Sequence, residues 1–289
     1  MMRMRAWLLS TTCLWAVAAM GGAQAADFSE KSVDFAAPGT LPAVSAPNGK
    51  LSAFGGGQDG GLFGVAGSRS VPLGVPYGLQ IDGMVGSGKG AAFYGVGGHL
   101  FWRDPAKGLL GIYGSYVSWS ADDTVAVASP INGVADLTGA DVGKFGVEGE
   151  AYLGRFSLEG LAAYQFGTNT GFAGKATLAY YPVDTLRLDG GVRYLDGVGA
   201  IGTAGAEWQP HIGSGFTLFA SGSFGDDYKQ ALGGVRFYFG DPNKSLIQRH
   251  RQDDPGNDLP DDLFIATGGG HCPTGDSYFS DGNICLSPP

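Results

Sequence analysis

The chain has 289 residues, with 18 basic against 27 acidic side chains and a formal net charge of −9. That acidic balance, without any basic patch, excludes nucleic acid as a partner. Glycine reaches 52 residues without a collagen-like period, and long helical periodicity is missing, so the composition fits an α/β enzyme badly and suits closely packed, twisted strands.

The first segment, residues 1–25, reads as a signal peptide. Arg3 and Arg5 give a charged start, Trp7 to Met20 an apolar run, and Ala23-Gln24-Ala25 a small-x-small cleavage pattern. The run is short for a spanning helix, which needs about 20 apolar residues. A lipidated cysteine would close such a run, and Cys13 sits inside it. Without Arg3 and Arg5, 16 basic residues face 27 acidic ones. Residues 26–49, with Pro38, Pro42 and Pro47, read as a flexible periplasmic leader.

From Lys50 to Phe239 the chain alternates in segments of about ten residues separated by turn residues, the signature of transmembrane strands. Twelve are expected: Lys50–Gly57, Leu62–Val71, Tyr77–Ser87, Ala91–Arg103, Leu109–Ser120, Asp141–Leu153, Phe156–Phe166, Phe172–Tyr181, Thr185–Leu195, Val198–Gln209, Phe216–Phe224 and Lys229–Phe239. Ten is the alternative, because the first two are poorly patterned. No later stretch is apolar long enough for a membrane helix, and an open sheet edge cannot face lipid. The expected fold is therefore all-β: a closed, antiparallel transmembrane β-barrel.

Period-two alternation separates two faces. Phe145, Val147 and Leu153 lie opposite Lys144, Glu148 and Glu150; Leu188, Val192 and Tyr194 lie opposite Arg187, Asp189 and Arg193. A soluble barrel shows the same alternation, so the aromatics decide. With Lys50 entering from the periplasm, Tyr77, Trp102, Phe156, Tyr180, Trp208, Phe216, Phe237 and Phe239 fall at one rim. Tyr94, Trp119, Phe166, Phe172, Tyr194 and Phe224 fall at the other. Two aromatic girdles mark a barrel in a bilayer. The longest connection, Ala121 to Ala140, falls on the outer side, as expected for that orientation.

The last strand ends Gly233-Gly234-Val235-Arg236-Phe237-Tyr238-Phe239. Gly234, Phe237 and Phe239 resemble the terminal assembly signal of outer-membrane barrels. With the signal peptide, Lys50 to Phe239 is similar to the porin-like β-barrel proteins of alphaproteobacteria. The resemblance implies insertion by the barrel assembly machinery, contact with outer-membrane lipid, and location in the outer membrane. In that family the signal closes the chain, whereas here fifty residues follow.

Those residues read as a periplasmic tail: a basic stretch Lys244 to Arg251, an acidic, proline-containing run Asp253 to Asp262, and Cys272 and Cys285 thirteen positions apart. In an oxidising compartment the pair makes one disulfide, which the chain-entropy model credits with about 3 kcal/mol. A zinc site is a weaker reading, since only His271 is near.

Eleven charges are expected to face the lumen: Asp82, Lys144, Glu148, Glu150, Glu159, Lys175, Arg187, Asp189, Arg193, Glu207 and Arg236. They make either a charge-selective constriction or a salt-bridged filling, and the near-balance of signs favours the filling. A barrel of about 8 strands is filled by side chains and one of about 16 leaves a channel. Twelve lies between. Among four histidines, His99 with Ser115 or Ser118 is the one imaginable hydrolase arrangement, and no Gly-x-Ser-x-Gly elbow appears. Gly86 to Gly90 lacks the spacing of a phosphate loop. Asp122-Asp123 and Asp226-Asp227 read as solvated loop tips. No cofactor, metal or catalytic residue is expected. The sequence therefore points to a porin-like barrel giving limited passive solute passage or serving the envelope structurally. The alternative is a closed barrel that binds through its loops or tail, for example to peptidoglycan or an envelope protein.

Overall fold

The computed structural model describes residues 41–57, 61–88, 91–120, 125–129, 133–137, 140–167, 170–196, 198–225, 228–266, 277–278 and 285–286. The signal peptide, the leader up to residue 40, His271, Cys272 and both acidic loop pairs lie outside these residues.

The barrel strands are β1 (Asn48–Gly57), β2 (Gly61–Pro72), β3 (Tyr77–Gly88), β4 (Ala91–Asp104) and β5 (Gly108–Ser120). After a separate hairpin of β6 (Val125–Ser129) and β7 (Gly133–Leu137), the wall continues with β8 (Ala140–Leu153), β9 (Phe156–Gly167) and β10 (Gly171–Val183). It ends with β11 (Leu186–Leu195), β12 (Gly199–Trp208), β13 (Phe216–Gly225) and β14 (Tyr228–Phe239). Each pairs antiparallel with its neighbour, and β14 pairs back onto β1, so twelve strands close the barrel. Closure satisfies every strand edge, which a bilayer demands. Strands of 10–14 residues are long enough, since about 9–11 tilted residues cross the hydrocarbon.

Alternation places polar residues inside and apolar ones outside. Phe145, Val147, Leu158, Leu188 and Val192 are exposed on the outer surface, while Lys144, Ser157 and Arg193 are buried. The rim aromatics Tyr77, Trp102, Phe237 and Phe239, and at the other end Tyr94, Phe166, Phe172 and Phe224, also face outward. Trp119 departs from expectation. It shares the inward parity of Tyr113, Ser115 and Val117, is partly buried, and its Nε1 donates to the Gly88 carbonyl at 3.3 Å. Tyr116 faces outward on that strand instead.

Gly49 pairs with Phe239, so both ends of the barrel sequence meet at one rim. The connection from β5 to β8 leaves from the opposite rim. That connection was expected as a plain loop; it carries the β6–β7 hairpin.

The fold departs most from the sequence reading at the two flanks of the barrel. The end of the leader is ordered: Ala43 and Val44 are fully buried with Phe101 and Leu109. The tail does not hang in the periplasm over its described stretch. It turns back into the lumen as α1 (Leu246–Gln252), an extended run, and α2 (Leu259–Ala266). Leu259 and Leu263 reach an apolar cluster with Met84, Val117, Val142 and Leu195. The physical reason is burial, because a twelve-stranded wall leaves more space than its own side chains fill. Beyond α2, β15 (Ser277–Tyr278) pairs with β16 (Cys285–Leu286), and the expected disulfide falls outside the described side chains.

The β1–β14 seam generates a prediction. At Gly234 a Cβ would collide with the Ala53 carbonyl, whereas at Gly233 the nearest atom is Phe219 O at 3.6 Å. Gly234→Val is expected to abolish the heat-modifiable folded band on unboiled gels of outer-membrane fractions. Gly233→Ala is expected to keep it.

Candidate functional site

All eleven sequence-predicted lumen charges lie on the inward face, and the structure sorts them into pairs. Arg187 meets Glu159 at 2.9 Å and Asp189 at 3.0 Å. Arg236 meets Glu207 at 2.5 Å, and Glu207 also accepts from Thr217 and from Tyr238 Oη. Glu150 accepts from Tyr152 Oη at 2.7 Å. Asp82 and Glu148 grip one imidazole between them. His99 Nε2 lies 2.8 Å from Asp82, and Nδ1 lies 2.9 Å from Glu148. With a carboxylate at each ring nitrogen, both nitrogens are placed to donate, as only imidazolium can.

Four wall cations, Lys50, Lys144, Lys175 and Arg193, take their carboxylates from the tail. Lys50 pairs with Asp254 and also donates to the Pro255 carbonyl. Lys175 pairs with Asp258. Arg193 meets Asp261 at 2.5 Å, and Lys144 meets Asp262 at 2.5 Å. Asp262 also accepts from Tyr113 at 3.1 Å and Ser115 at 2.7 Å, with all three residues buried. Gln80 Nε2 donates to the Pro255 carbonyl and Asn257 Nδ2 to Ser68 Oγ. The extended run between the helices is therefore fixed along its length by the wall.

The helices close the two ends of this polar belt differently. At the rim where both ends of the barrel sequence meet, α1 starts with a capping box of Ser245 and Gln248. His250 sits between Tyr181 Oη at 2.9 Å and Tyr238 Oη at 3.0 Å. Arg251 stacks on Tyr152 and donates to Ser157 and the Phe156 carbonyl. The leader joins here, with Ser45 donating to the Gln252 carbonyl and to Asp253. Towards the outer end the seal is apolar, formed around Leu259 and Leu263 by residues that include Phe54, Phe93, Ile201 and Leu232.

The sequence reading missed half of this arrangement. Lys50 and His99 were not counted among the lumen charges, and Asp254, Asp258, Asp261 and Asp262 were read as part of an acidic run in a periplasmic tail. A signal was available: with those two cations included the wall carries a surplus of bases, seven to six, and Asp253 to Asp262 is a dense run of carboxylates in the chain that follows the barrel. His99 is not poised against a serine. Both its nitrogens are taken by carboxylates, and Ser115 donates to Asp262.

An apolar, aromatic-belted outer face around a closed polar-lined barrel defines the class of protein: the chain is an outer-membrane β-barrel. No protein-family profile matches it, and no curated protein matches it. Solved structures do. The KdgM porin in complex with disordered oligogalacturonate is 11% identical, with 65% of this chain and 98% of that one covered and a TM-score of 0.50. An outer-membrane channel from Pseudomonas putida F1 is 12% identical over 72% of this chain and 98% of its own, with a TM-score of 0.43. Outer membrane phospholipase A from Escherichia coli is 12% identical over 68% and 98%, again with a TM-score of 0.43. At such identities the likeness is one of fold. Its share of this chain is close to that of the barrel and leaves the tail to be read on its own geometry.

Removing one partner from a buried ion pair costs about 3–5 kcal/mol, while replacing both by apolar residues is often nearly neutral. Asp262→Ala is therefore expected to loosen the tail, read as new protease cleavage between α1 and α2 in folded protein. Asp262→Leu combined with Lys144→Met is expected to restore most of the resistance. The Asp258 carboxyl gives a pH dependence. Burial opposes its ionisation, but the Lys175 ammonium against it outweighs burial and holds it below its ordinary value. A carboxyl depressed in the folded state stabilises above its unfolded value and loses that contribution as pH falls through the depressed one. The difference in tail protection between the unmodified protein and Asp258→Asn should be constant from about pH 7 to about pH 5, and should shrink only below about pH 4.

Proposed function

We propose that the chain is a porin-like barrel that gives limited passive passage to solutes, with its own tail as the restriction. The observation that carries the reading is the match between four wall cations and the tail aspartates Asp254, Asp258, Asp261 and Asp262. A twelve-stranded wall has room for a channel, and a segment held by buried ion pairs as well as by the apolar contacts of Leu259 and Leu263 is one whose hold a change of charge weakens. The alphaproteobacterial porin-like proteins remain the family this reading favours, on Gly234, Phe237 and Phe239.

On this reading the barrel is not catalytic. His99 is locked between two carboxylates and Ser115 serves Asp262, which leaves no activated hydroxyl at the site first considered for hydrolysis. The expected partners are lipid against the outward aromatics and the assembly machinery at the terminal strand. Peptidoglycan or an envelope protein is the further expected partner, contacted through the loops or the tail.

The test is conductance in planar bilayers. The full-length protein should show small, infrequent openings. Full-length Asp258→Lys combined with Asp262→Lys, which sets like charges against Lys175 and Lys144, should conduct at least several-fold more. A reversed-charge barrel that still shifts on heating and conducts no better than the original would favour a closed barrel acting as a binding or anchoring module.

A further inference from the structure

The tail does not fill the lumen evenly. Within the barrel, α2 packs chiefly against β3, β4, β5 and β8, where Leu259 fills the space over Gly95 and Gly97 beside Asp82, Tyr113 and Lys144. On the far side, β12 and β13 present Thr203, Gly205, Ser221 and Ser223 to the interior. A cavity of about 210 Å³ lies between these small residues and the extended run of the tail. One water needs about 10–15 Å³ by the same measure, so the space holds many waters or a small solute. Ser221 reports this directly, because it points inward with Phe219 and Ser223 yet is exposed. Its counterpart on the opposite wall, Ser115, is buried against the tail.

Most of the charges around this chamber are joined to one another: Arg187 to Glu159 and Asp189, Arg236 to Glu207, Lys175 to Asp258, and Lys50 to Asp254. Two more, Glu150 and Arg251, are held by neutral groups, Glu150 by Tyr152 Oη and Arg251 by Ser157 and the Phe156 carbonyl. Joined ions still offer spare donors and acceptors, and the two charges held by neutral groups, Glu150 and Arg251, are of opposite sign, so neither sign dominates the chamber. A neutral hydroxylated molecule exchanges its water hydrogen bonds for these at little cost. An ion would have to displace a partner from a buried pair or lie beside a like charge.

We propose that this chamber, walled by Thr203, Gly205 and Ser221, is the solute site of the barrel, and that it accepts small uncharged polyhydroxylated solutes. The inference rests on the porin-like reading and names where passage occurs and which class it selects. Swelling of proteoliposomes containing the full-length protein tests it, using neutral sugar alcohols and monosaccharides of increasing size beside carboxylate and ammonium solutes of matching size. Neutral solutes should enter first and show a size cut-off. Ser221→Trp should lower their entry by roughly tenfold or more, and Leu218→Trp on the lipid face of the same strand should leave it unchanged. Both variants are scored only as the heat-modifiable band, so a misfolded barrel does not count as a blocked one. Entry undiminished by Ser221→Trp, or charged solutes entering as fast as neutral ones, overturns the proposal. If the unmodified protein admits no neutral solute while the charge-reversed tail variant conducts, the site assignment falls and the porin-like reading stands. If neither passes anything, both fall.

Discussion

Four cations inside a closed barrel need four carboxylates, and the wall does not supply them. Lys50, Lys144, Lys175 and Arg193 project into a space from which lipid is excluded and bulk water is largely displaced. A charge so placed is costly unless paired. The tail supplies Asp254, Asp262, Asp258 and Asp261 in turn. The order of these aspartates and the two-helix layout of the tail follow from having to reach cations on different strands at different depths. The route of the last part of the described chain is thus an electrostatic consequence of the barrel interior.

The same pairing accounts for the division of the lumen. The second helix of the tail packs chiefly against β3, β4, β5 and β8. On β12 and β13 the inward Thr203, Gly205, Ser221 and Ser223 are small, and the space beside them stays open. Apolar packing around Leu259 and Leu263 fixes the depth of the tail, a role that ion pairs of similar geometry would fill poorly because they exchange partners readily.

Most of the barrel was legible in the sequence because a strand in a bilayer is read by parity alone. Phe145 against Lys144, or Leu188 against Arg187, assigns a face without knowledge of any neighbour, and all twelve strands lie within two residues of their expected ends. Trp119 shows the limit of that reading. Its position at a strand end suggested a girdle, but its parity with Tyr113 and Val117 sends it inward. The tail was illegible for a different reason. Asp253 to Asp262 has the composition of a solvated linker, and nothing local distinguishes a carboxylate facing water from one facing a lysine about 120 or 200 residues away. His99 was weighed as a base because Ser115 and Ser118 stand on the next strand. Its carboxylate partners are Asp82 on the neighbouring β3 and Glu148 on β8, one strand beyond β5, and parity alone does not show that pairing.

The tail runs through the barrel in contact with its wall, and a cross-link tests this most directly. Asn257 in the tail donates to Ser68 on β2 at 3.2 Å. A full-length protein with Asn257→Cys and Ser68→Cys, its natural cysteines replaced by serine, should form an internal disulfide on mild oxidation of outer-membrane fractions. Reduction should reverse the resulting change in gel mobility. Two thiols that remain free and both react with a small alkylating reagent, in a barrel that still shifts on heating, would contradict the account.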